Sequence, residues 1–252
     1  AANPKWLIYL SPTMAPCATT KEQDLLEHTA EAFAYFRSQG VAKVVCEEKH
    51  MGSRAVVIVC QDAAAARQRF GITEGESGIV YTRTGRRFFN DAALEHSFVQ
   101  RLRQALTKAN FWEQFETTWG CFDCELLPWS AKAQELLRSQ YAAVGAAGNA
   151  ALPKAADVLE QAVQRLNGDS EKSLRILQDE ILARRDNVRQ FVTAYRQYCW
   201  PVHSLDDLKL APFHLLATEN KAHINRNHVW HMESLAAICQ FDPGFLLATP
   251  FK

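Results

Sequence analysis

The reactive side chains of this sequence are most concentrated in Cys46-Glu-Glu-Lys-His-Met-Gly-Ser-Arg54. Lys49 is followed by Gly52 three residues on and by Arg54 five residues on. A lysine amine attacks only when neutral, and it sheds its proton more easily beside other cations or when desolvated. A lysine set between two strands, near Arg54 and close to a core, could meet that condition. Gly52 permits a tight turn or the close approach of a ligand. Arg54 suits a phosphate or a ribose hydroxyl. The same residues are also ordinary turn formers, and from spacing alone a solvated, charged β-turn accounts for them more readily.

Positioning these residues requires strands on both sides. Val41–Cys46 and Arg54–Cys60 read as strands joined by the polar turn 47–53. Upstream, residues 21–39 read as a helix with Leu25, Leu26, Ala30, Phe33 and Phe36 at helical spacing and Gly40 as its stop. Residues 62–70 read as a short helix ended by Gly71. Gly78–Arg83 and Arg87–Phe89 form a hairpin around Thr84-Gly85. Residues 91–110 are helical with Asp91 as N-cap. Trp119–Leu127 is a strand stopped by Pro128. From 130 to 198 the strand signal disappears, and about three helices divide at Gly148–Pro153 and Asn167–Ser170. Strand texture returns at Lys209–Thr218 and Lys221–Ile224, a hairpin around Glu219-Asn220. A helix at about 228–240 ends before Pro243-Gly244. The expectation is an α+β body, residues 1–129 and 206–252, with an inserted helical module at 130–205.

Composition narrows the function classes. The 252 residues are 48% hydrophobic and 22% charged, as in globular proteins. Lys+Arg and Asp+Glu both number 28, so the chain is no wholesale nucleic-acid coat, although a local basic patch is compatible. No run approaches the roughly 18 apolar residues of a membrane helix. Ala1–Leu10 shows no secretory signal, and the seven irregularly spaced cysteines suit free thiols in a reducing cytoplasm. With no initiator Met, and no closing helix after Thr249-Pro250-Phe251, the chain reads as a fragment or domain of something longer.

Other groups carry two readings each. Cys121-x-x-Cys124 supplies two ligands where a structural zinc needs four, and on a strand the two point to opposite faces. His223, His228 and His231 read as a polar helix face or, less readily, a metal site. Arg184, Arg185, Arg189 and Arg196 read as an amphipathic surface helix or a docking face.

Glu47-x-Lys49-x-x-Gly52-x-Arg54 resembles motif I of the covalent nucleotidyltransferases: DNA ligases, RNA ligases and mRNA capping enzymes. Three further segments follow in that superfamily's order. Thr82-Arg83-Thr84-Gly85 resembles its Arg-bearing motif. Phe122-Asp123-Cys124-Glu125-Leu126 resembles the Asp-Gly-Glu strand, with Cys124 at the Gly position. Pro212-Phe213-His214-Leu215-Leu216 resembles the Phe-Asp-Leu-Leu strand, with His214 at the Asp position. The strings Glu48–Ala55, Tyr81–Phe89 and Asp123–Ala133 are more narrowly similar to the C-terminal ligase domain of bacterial polynucleotide kinase-phosphatase, an RNA repair enzyme.

That resemblance implies a nucleotidyltransferase body, built on an antiparallel sheet, carrying a helical module. It implies Lys49 as the catalytic nucleophile, forming a covalent lysyl-AMP from ATP with Mg²⁺ or Mn²⁺. It places Glu47, Arg54, Arg83, Glu125 and Phe213 at the nucleotide and assigns no metal ligand. Glu125 would meet the ribose and Phe213 the adenine; the plain alternatives are a carboxylate paired with a basic residue and a core phenylalanine. Arg83 would face the nucleotide or an RNA 5′ phosphate, and Arg86 and Arg87 are either solvated or phosphate contacts. RNA ends, an RNA 2′-O-methyltransferase and a homodimer of the full-length protein are the implied partners. The superfamily's last two motifs do not occur before Lys252, and no Gly-x-x-x-x-Gly-Lys-Ser/Thr kinase motif is present. The resemblance is therefore to a ligase domain short of those motifs, from which weak adenylylation by this chain alone is expected. Two other readings stand beside it: a non-catalytic module docking RNA or the methyltransferase, and a capping-type guanylyltransferase.

Overall fold

The computed structural model describes residues 4–6, 18–23 and 25–252; Cys17 and most of the first ten residues lie outside the described part of the chain. The chain divides into two compact units, Ala1–Leu126 with Ser204–Lys252, and Leu127–His203.

The first unit is built on a five-stranded sheet: β1 (Ser53–Cys60), β2 (Gly78–Thr82), β3 (Trp119–Leu127), β4 (Lys209–Thr218) and β5 (Lys221–Ala222), in the order β2-β1-β3-β4-β5. β1 is antiparallel to both neighbours; Val56 lies opposite Tyr81 and Asp123, and Arg54 opposite Glu125. Directly opposed residues share a face. One face of the sheet is therefore a row of Ile79, Tyr81, Val56, Ile58, Cys60, Trp119 and Cys121, which packs with Trp6, Phe70 and Ile72 into one core cluster.

Local chemistry sets the helices over this sheet. α1 (Thr29–Ser38) is followed by α2 (Ala63–Phe70), where the Asp62 carboxylate accepts from Ala65 N at 2.7 Å and Gly71 caps the end in the left-handed region at φ 65°. α3 (Ala92–Lys108) starts at Asp91, whose Oδ1 accepts from Ala93 N and Leu94 N. It buries Phe98, Val99, Leu102 and Leu106 and packs on β1 and β2. Within it, buried Glu95 accepts from Val80 N at 3.0 Å and from Arg87 Nε at 2.5 Å, tying α3 to the β2 hairpin. α4 (Phe111–Gln114) precedes β3. In the second unit, α5 (Ser130–Leu136) runs through a π-turn into α6 (Ala142–Val163), and α7 (Asp169–Arg196) follows. α8 (His228–Cys239) returns to the first unit and packs on β4.

Three expectations need correction. The helix read at 21–39 begins at Thr29, where His28 Nδ1 accepts from Ala30 N; Leu25 and Leu26 are exposed, so no core rewards extending it. Val41–Cys46 is not a strand. The pairing begins at Cys46, which exchanges two hydrogen bonds with Lys252 at 2.9 and 2.8 Å, and continues through a Glu47–Phe251 bridge. Gly148 and Pro153 do not divide the helices: both lie inside α6. A Cβ on Gly145 would meet Val192 at 2.7 Å, and one on Gly148 would meet Val188 at 2.9 Å. These glycines are where α7 comes closest, and packing against it offsets their poor helix propensity.

Gly148→Leu should therefore lower thermal stability by about 1–3 kcal/mol through overpacking. Adding Val188→Ala should restore part of it. Helical circular dichroism on heating measures both; an unaffected Gly148→Leu would mean that the two helices are not in contact there.

Candidate active site

Lys49 is exposed on the loop between α1 and β1, and its neighbours are fastened on several sides. Cys46 and Glu48 bond through the backbone to Lys252 and Pro250. The Glu47 carboxylate accepts from His228 Nε2 at 3.0 Å. His50 Nε2 meets Thr249 Oγ1 at 3.0 Å. Gly52 N donates to Glu125 Oε1 at 3.0 Å. Gly52 is dictated by proximity: a Cβ there would lie 2.4 Å from the Leu126 carbonyl oxygen. Neither expected role accounts for this glycine: it is required by its close approach to the backbone of β3.

Arg54 points along the face that is apolar further up β1. Its Nε and Nη2 clasp the Asp123 carboxylate at 2.9 and 2.5 Å, and its guanidinium lies 5.9 Å from the Phe213 ring centre. Asp123 is fully buried. Glu125 lies one step along β3 on the same face. Burial pushes its carboxyl up, while Gly52 N–H, Lys49 and Arg54 pull it down, and burial prevails. Lys49, Arg54, Glu125 and Phe213 thus converge at one end of the sheet. Glu47 is held by α8. Arg83 is exposed, just past β2, in the turn through Gly85.

Several side chains take roles other than those expected. Arg87, exposed at its side chain, is tied to carboxylates: it bridges Glu76 at 2.6 Å and Glu95. Cys121 and Cys124 are both buried; burial raises both thiols, Cys121 to about 12. The histidines near α8 are not a polar surface. His231 is buried and its Nδ1 accepts from Leu215 N; His223 is buried and bonds Thr218. His228 Nδ1 meets His214 Nε2 at 3.0 Å, which continues the link from Glu47 into β4. Asp123 and His228 are the site's unanticipated members. Asp123 had a signal, its place two residues before Glu125; His228 was read only as part of a polar histidine group, because its partner Glu47 is 181 positions away.

Among the described residues, no three His, Cys, Asp or Glu side chains group in a way that could hold a metal ion. Nor is any helix among them long and apolar enough to cross a membrane.

A family model described as the PNKP adenylyltransferase domain, ligase domain, matches residues 1–252. The chain belongs to this family. No curated protein matches the chain. Solved structures that share the fold include two complexes. One, described as the Pnkp1/Rnl/Hen1 complex, aligns with a TM-score of 0.61 at 16% identity over 96% of this chain. A second, described as the Pnkp1/Rnl/Hen1 RNA repair complex, gives 0.56 at 17% identity over 89%. The chain spans 63% and 60% of those two chains.

The histidine cluster carries a pH dependence. Burial first, then His214, His228 and His223, lowers His231 to about 4, below its ordinary 6.5. His214 and His223 are also lowered, chiefly by burial. Between pH 4 and 6.5 the unfolded chain binds more protons than the folded one, so stability is full above about 6.5 and falls toward pH 4. His231→Asn keeps an acceptor for Leu215 N but does not titrate, so denaturant unfolding across that range should show a shallower fall. An unchanged slope would place its origin elsewhere.

Proposed function

We propose that this chain carries the nucleotide-transfer centre of an RNA repair ligase. ATP is its substrate and Lys49 its nucleophile. The observation supporting this most directly is the exposed Lys49 amine on a loop tied down at Cys46, Glu47, Glu48, His50 and Gly52. Holding a nucleophile in a near-attack position can supply several kcal/mol of a barrier.

In this reading the neutral Lys49 amine forms a bond to the α-phosphorus of ATP. The bond to the bridging oxygen breaks, pyrophosphate leaves, and the nitrogen gives up a proton, yielding lysyl-AMP. An oxygen of an RNA 5′ phosphate then attacks the same phosphorus and the P–N bond breaks. A 3′ hydroxyl finally displaces AMP and joins the RNA ends. Glu125, with one oxygen fixed by Gly52 N, accepts a ribose hydroxyl with the other in a charge-assisted hydrogen bond. Phe213, half-buried beneath Arg54, presents its ring to adenine. Asp123 fixes the direction of Arg54 toward the phosphates. Arg83, in the turn past β2, meets the nucleotide or the RNA 5′ phosphate. Glu47, held by His228, positions the loop from behind.

Mg²⁺ or Mn²⁺ belongs to this proposal as an ion carried on the triphosphate. The protein carboxylates do not form a cage for one: Asp123 is engaged by Arg54, Glu47 by His228 and Glu125 by Gly52. The partner reading, an RNA 2′-O-methyltransferase, is supported by the fold shared with chains of the Pnkp1/Rnl/Hen1 complex.

The full gene product, incubated with ATP labelled at the α-phosphate, should take up label that maps to Lys49. Lys49→Arg should take none, because guanidinium keeps the charge but stays protonated. Gly52→Ala should lower labelling about 10- to 100-fold by shifting the loop. Label surviving in Lys49→Arg would refute the assignment. No label in any form would leave a docking module as the function, and a preference for GTP would indicate a capping-type enzyme.

A further inference from the structure

A second feature lies at the opposite end of β3. There Glu219 N donates to Thr117 Oγ1 at 2.9 Å and Thr118 Oγ1 meets Glu219 at 3.2 Å, locking the β4–β5 turn to the start of β3. From Trp119 to Glu125 the strand covers about 20 Å, which separates this end from the Lys49 end. A recess of about 430 Å³ opens beside the turn. Phe115, Trp230 and His223 form an aromatic corner in it. His223 stacks on Trp230 at 5.2 Å and 29°, and Phe115 stands edge-on to both, at 6.1 and 6.2 Å.

Its charge is cationic. Arg226 lies over the indole, 5.0 Å from the ring centre, and has no carboxylate partner among the described residues. Lys221 meets Glu116 at 3.8 Å, an exposed pair that a phosphate could replace. His223 hydrogen-bonds Thr218 and stays neutral near pH 7, lowered by burial and by Arg226 and Lys221, so the positive charge is that of the two long side chains. Asn225 at the mouth offers both a donor and an acceptor.

We propose that this recess is a second nucleotide site, taking one phosphorylated nucleoside of a single-stranded nucleic acid. The base would sit in the aromatic corner or against the Arg226 plane, and its phosphate would lie between Arg226 and Lys221. The volume falls within the usual range for a small-ligand pocket. Stacking on rings or guanidinium planes requires an unpaired base, so single strands enter and a duplex does not.

The test is binding without ATP, which does not depend on whether Lys49 becomes adenylylated. A fluorescent single-stranded RNA of about 12 nucleotides, the matching duplex, and AMP are titrated separately. The parent should prefer the single strand. Arg226→Glu should weaken strand binding about tenfold and reduce the salt slope by about one. Trp230→Phe should retain binding and Trp230→Leu should lose it; if Trp230→Leu does not fold, Lys221→Glu replaces it. An Arg226→Glu effect on AMP alone would assign the same recess to a free nucleotide. The proposal is overturned if Arg226→Glu keeps the parent's affinity and slope, or if the duplex binds as well as the single strand.

Discussion

The Arg54–Asp123 ion pair is the constraint on which this end of the molecule depends. Asp123 is fully buried on β3 and Arg54 is about one-fifth exposed on β1. A carboxylate in such a place is costly unless paired and hydrogen-bonded, and removing the partner of a buried charge typically costs about 3–5 kcal/mol. The pair is the point at which one face of the sheet changes character. From Cys60 and Trp119 through Ile58, Cys121, Val56 and Tyr81, that face is packed core. Asp123 stands at the level of Val56, and one step on Arg54 and Glu125 face each other. The bidentate clasp lets charge begin where the core ends. It also fixes β1 against β3 at the strand end from which the Lys49 loop departs, and the Gly52–Glu125 bond continues the register into that loop.

Much of the first unit was legible because its signals are local. Asp91 caps α3, Gly71 ends α2, and β3 runs from Trp119 to Leu127 as its composition predicted. Gly85 and Asn220 take the left-handed conformations that their turns require. Elements with distant partners were misread. Val41–Cys46 has β-forming residues, but pairing begins only at Cys46, because the partner is the short segment at 250–252. Gly148 and Pro153 are helix breakers by propensity. Val188 and Val192 of α7 fill the grooves left by Gly148 and Gly145, which offsets their poor helix propensity; nothing in the contacts accounts for Pro153.

The site divides the same way. Lys49, Gly52 and Arg54 are close in sequence, and Glu125 lies on a readable strand, so their convergence follows from one antiparallel register. Asp123 was visible as part of the same motif, but its bidentate hold on Arg54 needed the register. The histidines were misjudged because an exposed helix face and a buried one look alike over so short a stretch. Burial of His231 and the His214–His228–Glu47 link arise from the packing of α8 on β4, which no local pattern encodes.

A formal charge of zero hides a division of labour among the cations. Arg54, Arg87 and Arg101 are each clasped by carboxylates: Asp123; Glu76 with Glu95; and Asp242 with Asp206. Arg87 and Arg101 brace the fold in this way, while Asp123 fixes the direction of Arg54. Lys49 at one end of the sheet and Arg226 at the other make no ion pair among the described residues. Their positions are set by other contacts instead: a loop fastened on either side of Lys49, an indole beneath Arg226. A cation placed without an acid partner keeps its charge for an incoming anion and need not break an internal pair to use it. If the nucleotide transfer proposed above is right, placing charge in this way reconciles a chain of zero formal charge with polyanionic substrates.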